Sequence, residues 1–112
     1  MTGAAGMLGQ ELCRAAPNWA TVTAMTREHG DLAVVEQARE ALLVASPQIV
    51  IHAAACADVD GCTRDPDRAW ADNAAATGNV AQTADEIGAL ALYVSTDYVF
   101  DGTKGAPYLE DD

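Results

Sequence analysis

Thr2-Gly3-Ala4-Ala5-Gly6-Met7-Leu8-Gly9 sets three glycines at G-x-x-G-x-x-G spacing. The run leads directly into apolar positions Leu8, Leu12, Ala15 and Ala16, which recur at helical spacing until Pro17-Asn18 closes the segment. A glycine turn opening into a helix is a dinucleotide-binding pattern, because each glycine answers a separate demand. The first permits a tight turn, the second lets backbone amides approach a pyrophosphate, and the third lets the helix pack closely. The diphosphate would sit at the helix N-terminus, against the unpaired amides near Met7 and Leu8, where the helix dipole favours negative charge. Gly3, Gly6, Met7, Leu8 and Gly9 are therefore candidate cofactor-binding residues. A flexible N-terminal tail is the alternative reading of the same run.

Working outward, Thr21 to Met25 is short and rich in β-branched residues, which predicts a strand, and Thr26 to Gly30 is polar and predicts a loop. Leu32, Val35, Ala38, Leu42 and Leu43 mark one face of a helix that Pro47 stops. Ile49, Val50 and Ile51 then form an apolar run expected to be a fully buried parallel strand. Asp65 is a fitting N-cap before Pro66, and a long alanine-rich helix is expected to run from there to Ile87, with Gly88 as its stop. Leu90 to Ser95 reads as another strand. This alternation predicts an α/β fold, a doubly wound parallel sheet of Rossmann-like type with helices on both faces, in one domain over residues 1–112. Lys104 to Pro107 is turn-forming, and Glu110-Asp111-Asp112 ends the chain in charge, as if cut off.

Composition narrows the function. With 17 acidic against 6 basic residues, the net charge of -11 repels phosphate backbones and anionic lipid heads, so nucleic acid and membrane surfaces are not expected partners. No basic segment precedes an apolar run at the N-terminus and no stretch approaches bilayer-spanning length, so the expectation is a soluble, cytoplasmic protein. Cys13, Cys56 and Cys62 match no C-x-x-C spacing and are read as buried or idle thiols. His29 and His52 lack carboxylate partners at ligand spacing; both are read as structural, and no metal is expected.

Two further features point to the same ligand. The strand beginning at Ile49 ends in His52-Ala53-Ala54-Ala55, whose small side chains leave room for a flat cofactor beside the backbone. After the second expected strand, where an acidic residue would hold ribose hydroxyls of NAD, the chain carries Thr26-Arg27. A guanidinium pairs with a 2′-phosphate in bidentate fashion, so the pattern favours NADP(H), with NAD(H) left open and Arg27 as an ordinary solvated residue the alternative. Asp31 begins the next helix and reads equally as its N-cap.

The segment Ser95-Thr96-Asp97-Tyr98-Val99-Phe100-Asp101-Gly102-Thr103-Lys104-Gly105-Ala106-Pro107-Tyr108 closely resembles the signature of the dTDP-4-dehydrorhamnose reductases, of the extended short-chain dehydrogenase/reductase family. Arg27, Asp31-Leu32, His52 to Ala55, Val59-Asp60, Asn73 and Gly78-Asn79 match in register, so the resemblance covers essentially the whole chain. It implies hydride delivery from a nicotinamide cofactor to the C4 carbonyl of a dTDP-linked 6-deoxy-4-keto sugar, and adds Asp31 and Leu32 to the cofactor-binding set. The family's reactive set is a Ser/Thr, a Tyr and a Lys. By the resemblance the catalytic hydroxyl falls at Thr96, with Ser95 beside it, and Asp97 and Tyr98 border the nucleotide-sugar substrate. Packing beneath a loop is the alternative for Tyr98, Val99 and Phe100. Asn73, mid-helix where asparagine is mildly unfavourable, is implied to order the site.

Two departures qualify the resemblance. Family members begin with an apolar strand before the residues matching Thr2-Gly3, and their Y-x-x-x-K would follow soon after Asp112. Tyr93, Tyr98 and Tyr108 each lack a lysine four positions on. The expectation is a fragment lacking most of the first, central strand and the C-terminal part. Its sheet would lose ladder partners on both sides of that strand, its apolar surface would be exposed, and alone it would turn over no substrate. A homodimer is left open for the full-length protein. The other readings are a non-catalytic NADP-binding regulatory subunit and a sugar-nucleotide epimerase or dehydratase on the same fold.

Overall fold

Pro47 cannot continue a helix, and Ser46 before it takes a left-handed conformation (φ 42°, ψ 54°) whose N–H closes on the Leu42 carbonyl at 2.8 Å. That break separates helix α2 (Val35–Ala45) from strand β1 (Ile49–His52) in the computed structural model, which describes residues 1–112. The other elements are α1 (Met7–Ala15), α3 (Val59–Arg64), α4 (Pro66–Trp70), α5 (Ala76–Glu86) and β2 (Leu90–Tyr93), with 3₁₀ turns at Arg27–His29 and Asp97–Val99.

β1 and β2 pair in parallel, Ile49 opposite Leu90 and His52 opposite Tyr93. Thr2 extends the sheet on the other side of β1, bridging His52 and Met25, both in parallel. The lateral order is therefore Met25, Thr2, β1, β2. The chain moves outward from Thr2 to Met25, then crosses back to β1. Right-handed crossovers in opposite directions put α1 and α2 on opposite faces, which is the winding of a doubly wound sheet. Thr2 sits where the order reverses.

The core lies between β1, α2 and α5. Met25, Leu42, Val50, Val80 and Ala84 form one buried cluster, with Leu32, Ala41, Ala45, Ile87 and Ala89 against it. Small residues at the crossing, Ala38 and Ala84, both fully buried, let α2 and α5 approach closely. The opposite sheet face carries Ile49, Ile51, Leu90 and Leu92, and there Ile49 is 55% and Leu90 64% exposed. α1 covers little of it, burying only Gly9.

Several expectations change in detail. Thr21 to Ala24 form no strand; of that segment only Met25 makes a ladder pairing, bridging Thr2 with its N–H on the Met1 carbonyl and its carbonyl accepting from the Ala4 N–H. β1 is half buried rather than fully buried, one sheet face being open. Its helix partner α2 starts at Val35, after a turn at Leu32–Ala33, and Leu43 faces solvent. The long helix begins as expected, Asp65 accepting from the Arg68 N–H at 3.1 Å with Pro66 at its first position, but widens to a π turn over Ala71–Ala75. A further helix, α3, precedes it, capped by Asp58 accepting from the Gly61 N–H at 3.0 Å.

Candidate functional site

The glycine turn is fixed, not a tail. Gly3 has φ +67°, and a Cβ there would meet the Ala53 and Ala54 backbone at 2.6–2.7 Å. A Cβ on Gly9 would lie 2.1 Å from the Gly3 carbonyl oxygen, so α1 packs directly onto the turn that starts it. The Gly6 N–H closes the turn on the Gly3 carbonyl at 2.9 Å, and the Ala4 N–H reaches the Met25 carbonyl at 3.1 Å. Gly6 is the N-cap of α1 and offers no side chain to the first amides of the helix. Those amides have no intrahelical acceptor, which leaves them available to an anion.

Around this turn opens a cleft of about 820 Å³, within the range of small-molecule sites. Gly3 and Gly6 form one wall, Thr26 to Ala33 a second, and Ala53 to Ala55 a third. Of the candidate cofactor residues, Gly3, Gly6, Arg27, Asp31, Leu32, Ala53, Ala54 and Ala55 line it together. Met7, Leu8 and Gly9 do not: Met7 is 89% exposed, and Gly9 is buried against the turn. Asp31 is not the N-cap of α2, a position held by Val34; its carboxylate accepts from the Ala33 N–H at 3.0 Å in a local turn. Its own N–H donates to Gln37 Oε1 at 2.8 Å.

Sequence reasoning missed Glu28 and Asp72 in this lining. Arg27, well exposed, donates to Asp72 Oδ2 at 3.3 Å, and Arg68 Nε lies 3.5 Å from the same oxygen. The Arg68-to-Asp72 helical spacing was a legible signal for one of these pairs. The other basic residues are paired as well: Arg14 with Glu11, Arg39 with Glu86, Arg64 with Asp58 and Lys104 with Asp112.

Below the cleft, His52 is 2% exposed; its Nδ1 lies 2.7 Å from Thr2 Oγ1, and its Nε2 has no partner. Burial holds its pKa below the ordinary value. His29 Nδ1 accepts from the Thr26 N–H at 3.1 Å within the 3₁₀ turn. Asn73 sits in the π turn, a helical irregularity often found beside functional sites. It accepts the Cys56 N–H at 2.7 Å and donates to the Cys56 carbonyl at 3.2 Å, clamping the loop that follows Ala55. Asn79 likewise donates to the Leu32 carbonyl at 2.9 Å, tying α5 to the cleft wall.

Ser95, Thr96, Asp97 and Tyr98 lie beyond the C-terminal end of β2 and outside the cleft lining. Thr96 caps the 3₁₀ turn, accepting from the Tyr98 N–H at 3.3 Å, and donates to Asp97 Oδ1 at 3.1 Å. Tyr98 and Val99 are 74% and 64% exposed, so they are not packed beneath a loop; Phe100 stacks on Tyr108 with centroids 4.1 Å apart. No group of three or more metal-ligating side chains is assembled. No helix is long and apolar enough to cross a membrane.

The family described as RmlD substrate binding domain matches residues 1–112. The chain belongs to that family. Among relatives of this RmlD-family chain, dTDP-4-dehydrorhamnose reductase of Burkholderia thailandensis is 38% identical over 112 residues, covering 100% of this chain and 38% of that protein. Methionine adenosyltransferase 2 subunit beta of Mus musculus is 37% identical over 120 residues, covering 100% of this chain and 36% of that protein. The chain thus spans little more than a third of these relatives. A crystal structure of a dTDP-4-dehydrorhamnose reductase from Clostridium acetobutylicum superposes with TM-score 0.92 at 34% identity, over 99% of this chain and 40% of that one. The Bacillus anthracis reductase in complex with NADP superposes with TM-score 0.87 at 33% identity, over 92% and 37%. The fold is accordingly the Rossmann-like α/β fold of these reductases, of which the chain holds a part.

Proposed function

We propose that this chain is the dinucleotide-binding part of an NADP(H)-dependent dTDP-4-dehydrorhamnose reductase, which reduces the C4 keto group of dTDP-4-dehydro-L-rhamnose to give dTDP-L-rhamnose. The observation that carries the reading is the cleft at the sheet's reversal point, walled by Gly3 and Gly6, Arg27 to Leu32 and Ala53 to Ala55. The residues fit the cofactor. Gly3 lets the turn approach the Ala53–Ala54 backbone and Gly9 lets α1 sit on the turn, approaches that any Cβ would block, and the uncapped start of α1 presents amides to a diphosphate. The similarity to an NADP-bound reductase supports NADP(H) as the ligand.

When bound, the cofactor supplies the hydride. The chain's own residues hold and orient. Met7 and Leu8 offer backbone amides, and Gly9 acts indirectly by seating α1. Arg27 exchanges Asp72 for the 2′-phosphate; Asp31 retains acceptor capacity for a ribose hydroxyl. Thr96 hydrogen-bonds the sugar carbonyl, with Ser95 as the second candidate hydroxyl, once its donation to Asp97 is released. Asp97 and Tyr98 border the sugar.

The test is a titration of the purified protein with NADPH and with NADH, followed by nicotinamide fluorescence. NADPH binds the more tightly, and Arg27→Ala weakens it roughly ten- to a hundredfold while leaving NADH unchanged, since a charged hydrogen bond of this kind contributes roughly 1.5–3 kcal/mol. Equal weakening of both cofactors removes Arg27 from 2′-phosphate recognition; absence of binding to either removes the whole reading.

Catalysis needs more than binding. No tyrosine in these 112 residues has a lysine four positions on, so the chain by itself binds NADPH and oxidises none when given the keto sugar. Similarity to a methionine adenosyltransferase 2 subunit beta supports a second reading, a cofactor-binding subunit that serves another enzyme. Oxidation of NADPH by the full-length protein with the keto sugar separates the two.

A further inference from the structure

Past Ala55, the chain leaves the cleft wall at a residue held from both sides. Asn73 takes the Cys56 N–H at 2.7 Å and gives an N–H to its carbonyl at 3.2 Å, so the Cys56 backbone has a fixed position. Two residues later Asp58 caps α3. Gly61 lets that cap sit close, since a Cβ there would fall 2.3 Å from Asp58 Oδ2, and the first turn of α3 brings Cys62 back over the loop. Cys62 Sγ thereby lies 3.3 Å from Cys56 Sγ and 3.6 Å from the Cys56 carbonyl oxygen. Both side chains are partly exposed and open on a cavity of about 90 Å³, shared with Asp58, Gly61, Asp65, Arg68 and Ala69.

Two idle thiols need no such arrangement. A fixed sulfur, a second sulfur in van der Waals contact with it and an opening to solvent are what thiol–disulfide exchange requires. We propose that Cys56 and Cys62 form a redox-modification site, a dithiol that closes to an intrachain disulfide on meeting a small disulfide of the glutathione class. This does not depend on the cofactor reading.

The steps balance. The Cys56 thiolate, its proton given to solvent, attacks one sulfur of the small disulfide and expels a thiolate, which takes up a proton. Cys62 then loses its proton, attacks the Cys56 sulfur of the mixed disulfide and expels the second small thiolate. Two protein thiols are oxidised and one small disulfide is reduced to two thiols. Cys56 attacks first because Cys62 is the donor in the sulfur–sulfur hydrogen bond. That hydrogen bond to Cys56 is also the main influence raising the Cys62 pKa. The bridge ties α3 to the loop that continues the Ala53–Ala55 wall.

Purified protein carrying Cys13→Ser is reduced, exposed to oxidised glutathione, quenched in acid and mapped by mass spectrometry without reductant. The expected product is a Cys56–Cys62 cross-linked peptide, two hydrogens lighter than the reduced pair, with no glutathione retained. With Cys62→Ser added, Cys56 keeps one glutathione because no resolving thiol remains. Stable glutathione adducts on the intact pair without a cross-link, or no reaction at either cysteine, overturn the proposal.

Discussion

The glycine turn and the Ser95-to-Tyr108 segment are the two most information-rich stretches of this sequence, and they are held in opposite ways. Thr2 is fully buried, its N–H bonds to the Ile51 carbonyl at 3.0 Å, and the turn after it touches residues some 50 positions away. The later segment leaves the sheet after the Val94 N–H reaches the His52 carbonyl at 3.2 Å. Beyond that point its hydrogen bonds are local: Thr96 with Asp97, Thr103 with Asp101, Tyr108 with Asp101, and Lys104 with Asp112. Those to Asp101, led by the Thr103 N–H, hold its carboxyl below the usual carboxylate range, yet none reaches the core. A motif's legibility therefore says little about how rigidly the chain around it is held. One stretch is shaped by packing, the other by its own turn chemistry.

Glycine substitution breaks or sharpens this contrast most directly. Gly9→Ala puts a methyl group 2.1 Å from the Gly3 carbonyl and 2.8 Å from Ala4 Cα, both backbone, so α1 must shift. The expected cost is about 3 kcal/mol, as for severe overpacking. Gly102→Ala, at φ +74° with nothing within 4 Å of the new Cβ, incurs only backbone strain, about 1 kcal/mol. Urea denaturation of the two variants measures the difference. Equal losses would mean that the later segment is as firmly packed as the first.

How much could be read beforehand follows the same division. The glycine turn, the Asp65-Pro66 helix start and the β1 and β2 segments were legible because each rests on local chemistry or periodicity. The Thr21-to-Met25 strand was not realised, since a strand is a pairing and only Met25 of it finds a ladder partner, at Thr2. Asp72 in the cleft, the π turn and the Cys56–Cys62 contact depend on how helices pack over the loop after β1, which no spacing rule carries. Asp58 ahead of α3 is an N-cap signal that the sequence carries.

Asn73 belongs to the packed region although it lies in a helix, and its removal tests how far that region extends. Asn73→Ala leaves the Cys56 N–H and carbonyl without their partners in a partly buried place. The expected loss is about 2 kcal/mol of unfolding free energy, with faster amide exchange confined to residues 53–58. Exchange unchanged in that loop would mean that the clamp contributes nothing to the cleft wall.

The smallest expected effect is a pH dependence just below neutrality, which belongs to the glycine-turn region. Neutral His52 is accommodated beside Thr2, but no acceptor faces Nε2, which the charged ring must present as a donor, and burial disfavours the charged ring. The folded pKa therefore lies below the unfolded one. As pH falls below about 6.5, the unfolded chain takes up a proton that the folded chain refuses, so stability is present above that pH and declines below it. The slope from this one group is at most about 1.4 kcal/mol per pH unit, and carboxylates add theirs only nearer pH 5. Thermal unfolding between pH 7 and pH 5 should show the decline, and His52→Gln, whatever its own cost, should flatten it. A variant with the same slope would place the titrating group elsewhere, outside the buried end of the molecule.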